Sequence, residues 1–277
     1  MFPPQVAAYR LGYPSAGERI TARLRLRGTR FETEGALGSG SPAQEEGARA
    51  AQGADASGHQ QPPVELAEYL DALVERVRRL LGGELVGVYL AGSGALGGYI
   101  HGRSDVDVAV VVREPLDRAT KDELVAALRH EALPCPARGL ELVVYARGRP
   151  LPELNLNTGE RMAFLATFQP GTDSPHWFVL DRAIIGQRGV VLAGLPPAEA
   201  LVPPSEDEIL EALAVGIQWY RDRPYEPRDD AALNAVRSRA YLETGRWASK
   251  AEAIELLLEE ISVSVESRRA RSRDQGR

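Results

Sequence analysis

GSGALGGYIHGRSDVDVAVVV, residues 92–112, is the stretch whose reading decides the fold. It lies between two apolar runs, residues 85–90 before it and 106–112 at its end, each the length of a buried strand. Gly92-Ser93-Gly94 makes the turn out of the first strand. Glycine takes backbone angles that other residues avoid and lets a phosphate come close to the main chain. Ser93 adds a hydroxyl donor, and a helix starting near Ala95 would point free N–H groups at the same place. Asp105 and Asp107 stand two apart at the head of the second strand. Side chains alternate along a strand, so both carboxylates share one face while Val106, Val108, Val110 and Val112 take the other. Two carboxylates side by side repel unless a cation lies between them. Hard oxygen ligands suit Mg²⁺, which also binds substrate phosphates. For the aspartate pair taken alone, a solvated strand end is the competing reading.

Residues 140–146 read as a third strand, and Glu141 interrupts its apolar run. A glutamate inside a buried strand is costly unless a metal or another cation partners it. If this strand lies beside the aspartate strand, Glu141 joins the cluster, either as a metal ligand or as the base that takes an acceptor's hydroxyl proton. On an edge strand it would be a surface residue.

Helical spacing of Leu66, Leu70, Leu73, Val74, Val77 and Leu81 predicts a helix before the first strand, closed by Gly82-Gly83. Thr120, with Glu123 three residues on, predicts the cap of a second helix that stops before Pro134. Residues 159–166 and 176–186 are read as helical and residues 190–192 as a short strand. Pro196-Pro197 and Pro203-Pro204 mark a linker, after which the pattern is helical throughout. Capping boxes at Ser205/Glu208 and Ser249/Glu252 open helices to about Arg221 and Ile261, and a helix over 231–243 lies between them. The expected fold class is an α/β (α+β) domain with a small mixed sheet over 62–195, followed by an all-α domain over 203–262. Residues 263–277 are read as a frayed basic tail. Residues 1–61 hold too few large apolar side chains to offset their chain entropy and are read as a disordered or non-native extension.

The chain has 277 residues, 44% of them hydrophobic, enough for a packed core. A net charge of −6 does not favour nonspecific nucleic-acid binding. The single cysteine, Cys135, allows no internal disulfide and suits a reducing compartment. There is no 18-residue apolar run and no secretory signal pattern at the N-terminus. The expectation is a cytoplasmic monomer with neither membrane nor nucleic-acid partners.

A strand, a Gly-Ser turn with further glycines, and Asp-x-Asp on the next strand resemble the polymerase-β-type nucleotidyltransferase superfamily. Within it, GSGALGG at 92–98 with SDVDV at 104–108 is similar to aminoglycoside 3''-adenylyltransferases, which pair such an α/β domain with a C-terminal helical domain. The resemblance spans residues 63–260. It implies that Gly92, Ser93 and Ser104 contact a nucleoside triphosphate, ATP, and that Asp105 and Asp107 hold Mg²⁺, with Glu141 as base or further ligand. LNAVRSRAYLETGRWASKAEA, residues 233–253, resembles the family's second signature, which makes Arg237 and Lys250 its triphosphate-binding cations. Lys250 directly follows the cap Ser249, so its charge coincides with a helix N-terminus.

The acceptor implied is cationic and hydroxylated, so an acidic cleft is wanted. Candidates are Glu160, Asp181, Asp229 and Asp230. Some family members carry a Trp near Glu160 for streptomycin, where this chain has Arg161. The helical domain is also expected to be truncated, because the sequence turns to SVSVESRRARSRDQGR where the family continues with helices. Two other readings stay open at this point: the same chemistry on another small molecule or a protein hydroxyl, and a nucleotide-binding module without turnover.

Overall fold

The computed structural model describes residues 61–168, 175–222 and 228–274, and the reading of residues 1–60 lies outside them. Helix α1 (Ala67–Leu81) follows a single 3₁₀ turn and ends at Gly82. Its Leu70, Leu73, Val74, Val77 and Leu81 are buried, as their spacing requires. Strand β1 (Leu85–Leu90) leads into a one-turn helix, α2 (Gly92–Ala95), which starts three residues earlier than the sequence suggests. Strand β2 (Val106–Val112), helix α3 (Arg118–Leu128) and strand β3 (Leu140–Ala146) follow. Asp117, not Thr120, caps α3: its carboxylate accepts from the Thr120 N–H at 2.7 Å. The acid wins because it sits one residue before the helical angles begin, where a side-chain oxygen reaches the third N–H.

The expected helix over 159–166 is instead part of a hairpin, β4 (Pro152–Gly159) and β5 (Met162–Thr167). Leu154 and Leu156 point into the core, Asn155 and Asn157 are half-buried, and β5 pairs along the exposed side of β4. Helix α4 (Pro175–Arg188), strand β6 (Val190–Gly194) and the short α5 (Pro197–Ala200) complete this part.

The six strands run in the order β5-β4-β3-β2-β1-β6, and only β2 and β3 are parallel. Alternation divides the core in two. Val106, Val108, Val110 and Val112 of β2, with the matching residues of β3, pack beneath α1 and α3. Ala109, Val111, Val143 and Tyr145 on the other face pack under Phe178 and Ile185 of α4. Asp105, Asp107 and Glu141 share the parity of this second face, so they emerge on the α4 side.

The remaining helices are α6 (Glu206–Arg221), α7 (Arg228–Thr244) and α8 (Lys250–Asp274). The Ser205/Glu208 capping box is formed as expected. Helix α8 continues through Asp274, across most of the stretch read as a frayed tail. Leu96, Ile184, Leu213 and Trp247 form a small core that joins the glycine-rich turn, α4, α6 and the α7–α8 connection. Gln187 and Arg188 at the end of α4 pin that connection. Gln187 donates to the Gly245 carbonyl and accepts from the Trp247 N–H, and Arg188 donates to the Trp247 carbonyl at 2.9 Å. No helix among the described residues is long and apolar enough to cross a membrane.

A candidate active site at the parallel strand pair

Parallel pairing of β2 and β3 sets Asp107 directly opposite Glu141. The two acids therefore stand side by side on adjacent strands, on the face below α4. Asp105 lies one pleat further out. The Ala91 N–H donates to the Asp107 carbonyl at 2.8 Å, which brings the end of β1 and its glycine turn against the same spot. Gly92 has φ +51°, and a Cβ there would fall 1.8 Å from Asp107 Oδ2. No other residue fits. The Ser93 backbone N–H donates to the Asp107 carboxylate, so the turn already cradles an anion.

The charged groups shape one another. Burial, then repulsion from Asp105, pushes the Asp107 carboxyl up, while Arg237, the Ser93 N–H and Lys250 pull it back. Burial pushes Glu141 well above the usual carboxylate range, with Asp107, Asp105 and Asp181 adding to the effect and Arg138 opposing it. Asp181, on α4, is pushed up to about 7 by burial and by Asp107, against the pull of Arg237. Arg237 in turn is held below its usual range by burial, and Asp107 and Asp181 support its charge. Four carboxylates and the cations Arg138, Arg237 and Lys250 thus act on one another within one site.

Most of the expected site residues have a definite place. Arg237, mid-way along α7, donates from Nε to the Ala248 carbonyl at 3.1 Å, and its Nη2 is buried with no hydrogen-bond partner. Lys250 is the first residue of α8, behind the formed Ser249/Glu252 capping box. A Cβ on Gly98 would meet Ser249 Cβ at 3.1 Å, so this helix start abuts the glycine-rich stretch. Ser104 serves the turn before β2, its hydroxyl accepting from the Ile100 N–H at 3.0 Å. Glu160 is exposed in the β4–β5 turn, at the same sheet end as Asp105. Arg161 beside it donates to the Gly102 carbonyl at 2.9 Å. Asp181 does not pair with its neighbour Arg182, which donates to the Val202 carbonyl. The side chains of Asp229 and Asp230 lie outside the described residues.

Arg138 is the partner that the sequence reading missed. Its Nε donates to Asp105 Oδ1 at 2.6 Å, and Nη2 donates to the other oxygen. The signal was available: in a parallel pair, the residues preceding β3 lie beside those preceding β2. Among the described residues, no three acids, histidines or cysteines are arranged to enclose a metal ion. The donor set nevertheless suits a hard divalent cation. Asp107 and Glu141 are paired oxygen donors whose mutual repulsion a cation would relieve, and Asp105 lies within reach of both through its charge.

Residues 70–149 match the model of the nucleotidyltransferase domain. Spectinomycin adenyltransferase AAD(9) from Enterococcus faecialis, solved with ATP and spectinomycin, has a similar structure: TM-score 0.54 at 16% identity, over 70% of this chain and 83% of that one. A toxin–antitoxin structure with AMP-PNP aligns at TM-score 0.29 and 17% identity, over 56% of this chain and 92% of that one. The tri-AMPylated HEPN toxin of Shewanella oneidensis with its MNT antitoxin aligns at 0.26 and 16%, over 57% and 92%. No curated protein sequence matches significantly. The matched segment contains β1, the glycine turn, β2 and β3, and the chain is a nucleotidyltransferase.

Proposed function

We propose that this nucleotidyltransferase moves AMP from ATP to a hydroxyl of an aminoglycoside, with Mg²⁺ as cofactor. The observation that carries the reading is the register of Asp107 against Glu141, beside the Gly92-Ser93 turn and faced by Arg237 and Lys250. The overall likeness to an adenyltransferase solved with ATP and spectinomycin supports the choice of nucleotide and acceptor class.

Asp105, Asp107 and Glu141 would hold the metal, which when bound neutralises charge building on the α-phosphate and on departing pyrophosphate. The chain's own groups do the rest. Arg237 and Lys250 hold the triphosphate, Arg237 with a buried nitrogen free to donate to a phosphate oxygen. The Ser93 hydroxyl and the Gly92 turn position the phosphates. The acceptor hydroxyl oxygen bonds to the α-phosphorus as its proton passes to Glu141. The bond from that phosphorus to the bridging oxygen breaks, and its electron pair leaves on pyrophosphate. Burial raises the proton affinity of Glu141, which fits a general base once nearby positive charge lets it ionise. Ser104 acts by holding the turn that carries Asp105. Glu160, Asp181, Asp229 and Asp230 are the candidate acceptor contacts, serving a cationic ligand.

The test is pyrophosphate release from ATP and Mg²⁺ with spectinomycin, kanamycin and streptomycin in turn. Release that depends on one of these drugs, with the AMP adduct found by mass spectrometry, is the expected result. Release only with a protein acceptor would move the reading to a protein hydroxyl. Tight ATP binding with no release from any acceptor would leave a binding module.

A further inference from the structure

Asp105 carries a guanidinium on both of its oxygens: Arg138 donates from Nε to Oδ1 at 2.6 Å and from Nη2 to Oδ2. The backbone of Arg138 is fixed from two sides. Its N–H donates to the Ser104 carbonyl at 3.2 Å, and the Val106 N–H donates to the Gly139 carbonyl at 2.9 Å. These two bonds extend the parallel β2–β3 ladder backwards, so the residues entering the two strands lie side by side. From the other side the β4–β5 turn closes on the same segment, where a Cβ on Gly159 would fall 2.6 Å from the Arg138 carbonyl oxygen. The strand entry that carries Glu141 into the site therefore also delivers the fork to Asp105. The two partners differ in exposure, with 16% of the Asp105 side chain exposed against 47% of the Arg138 side chain. The carboxylate is set into the site, while the guanidinium can turn out into water at small cost.

We propose that Arg138 is the resident counter-ion of the acid cluster: it neutralises Asp105 while no metal is bound and competes with a divalent cation for that same carboxylate, so that a bare ion binds weakly. This rests on the metal-dependent adenylyl-transfer reading and adds a control to its site. The fork and a metal ion use the same carboxylate oxygens. With no ion bound, the fixed positive charge offsets the repulsion among Asp105, Asp107 and Glu141, and Arg138 acts on Glu141 in the same sense. A bare ion gains carboxylate oxygens and forfeits that offset. An ion that arrives with a triphosphate has phosphate oxygens as further ligands, so the nucleotide complex can displace the fork where the bare ion cannot. Arg138 is in this sense a positioning residue. It acts through Asp105 and needs no contact with the reacting atoms.

The experiment titrates Mn²⁺ alone, a hard divalent ion that takes the same oxygen ligands as Mg²⁺, into the full chain and counts the free ion by electron paramagnetic resonance. Wild type, Arg138→Ala, Arg138→Gln and Arg138→Lys are compared, and Arg138→Ala is repeated together with Asp105→Asn. Both neutral variants should bind Mn²⁺ at least about fivefold more tightly than wild type, the upper end for an ion pair this exposed. Arg138→Lys should fall between, because an ammonium keeps the charge and loses the fork. Combination with Asp105→Asn should remove most of the gain. Metal-free Arg138→Ala should melt below wild type, and saturating Mn²⁺ should raise its Tm by more than it raises that of wild type. Arg138→Gln keeps most of the side chain's length and carries the test if Arg138→Ala does not fold. A residue that only braced the turn would give weaker metal binding when removed. Equal or weaker Mn²⁺ binding by the neutral variants overturns the proposal, as does a gain left undiminished by Asp105→Asn. Failure of Mn²⁺ with a non-hydrolysable ATP analogue to bind wild type is a different result, and it overturns the metal-dependent adenylyl-transfer reading itself.

Discussion

Gly92→Ala isolates the close approach on which the site depends. The added Cβ would lie 1.8 Å from Asp107 Oδ2, where real contacts do not fall below 3.0 Å. Either the turn or the carboxylate must then shift by about 1 Å, a misplacement that costs roughly 10²-fold in rate when it moves a reacting group. The backbone contributes separately. Alanine at φ +51° costs about 1–2 kcal/mol, or roughly 2–8 °C in Tm for a body of this size. Gly148→Ala is the matched control, because Gly148 has φ +76° with nothing within 4 Å of the added carbon, in the turn after β3. Both variants should melt a few degrees early, and only Gly92→Ala should lose about 10²-fold in kcat/KM by pyrophosphate release. Equal kcat/KM in the two would refute the claim that the turn and Asp107 form one fitted unit.

Three further outcomes follow from the charges. Arg237→Lys should raise KM for ATP about tenfold or more and leave the acceptor KM within a few-fold, because an ammonium cannot reproduce the fork of donors. Steady-state kinetics in each substrate checks this, and an unchanged nucleotide KM contradicts it. Glu141→Gln should stabilise the metal-free protein by about 1–3 kcal/mol at pH 8. A carboxyl whose folded pKa is raised contributes stability below its unfolded pKa and loses it as pH climbs through the folded value, so the gain over wild type should vanish near pH 4. Added Mg²⁺ should raise the wild-type Tm and not the variant's, and parallel Tm–pH curves would contradict the assignment. Lys121→Ala breaks the buried 2.9 Å pair with Glu153 and should cost about 3 kcal/mol in urea melts, at the low end for such a loss because Arg149 lies 3.8 Å from the same carboxylate. Lys121→Met with Glu153→Leu should recover most of it.

The core of this architecture was legible because it obeys short-range rules. β2 and β3 are apolar runs with acids at one end only, and period two puts those acids on one face; parallel pairing then sets Asp107 beside Glu141. The hairpin was not legible. MAFLAT contains residues that favour helices, and only the open side of β4 makes it a strand. The α3 cap was ambiguous because Asp117 and Thr120 are three residues apart and both are capping types. Arg237 and Lys250 came from resemblance, since a lone arginine in a helix carries no signature of burial. What brings them to the sheet is the α4 end, where Gln187 and Arg188 fasten the α7–α8 connection. No local pattern announces such a long-range contact. Nor does adjacency in sequence pair Asp181 with Arg182: tertiary packing turns Arg182 away to the Val202 carbonyl.

The account stands on Asp107 and Glu141 acting together on one cation and one triphosphate. Its most direct measurement is the heat of Mg²⁺–ATP binding to wild type, Asp107→Asn, Glu141→Gln and the double variant, compared with ATP alone. The metal should strengthen ATP binding to wild type by at least ~10-fold, and each single variant should lose that gain with no further loss in the double, as expected for residues in direct contact. A metal-dependent gain that survives in both single variants would contradict the account.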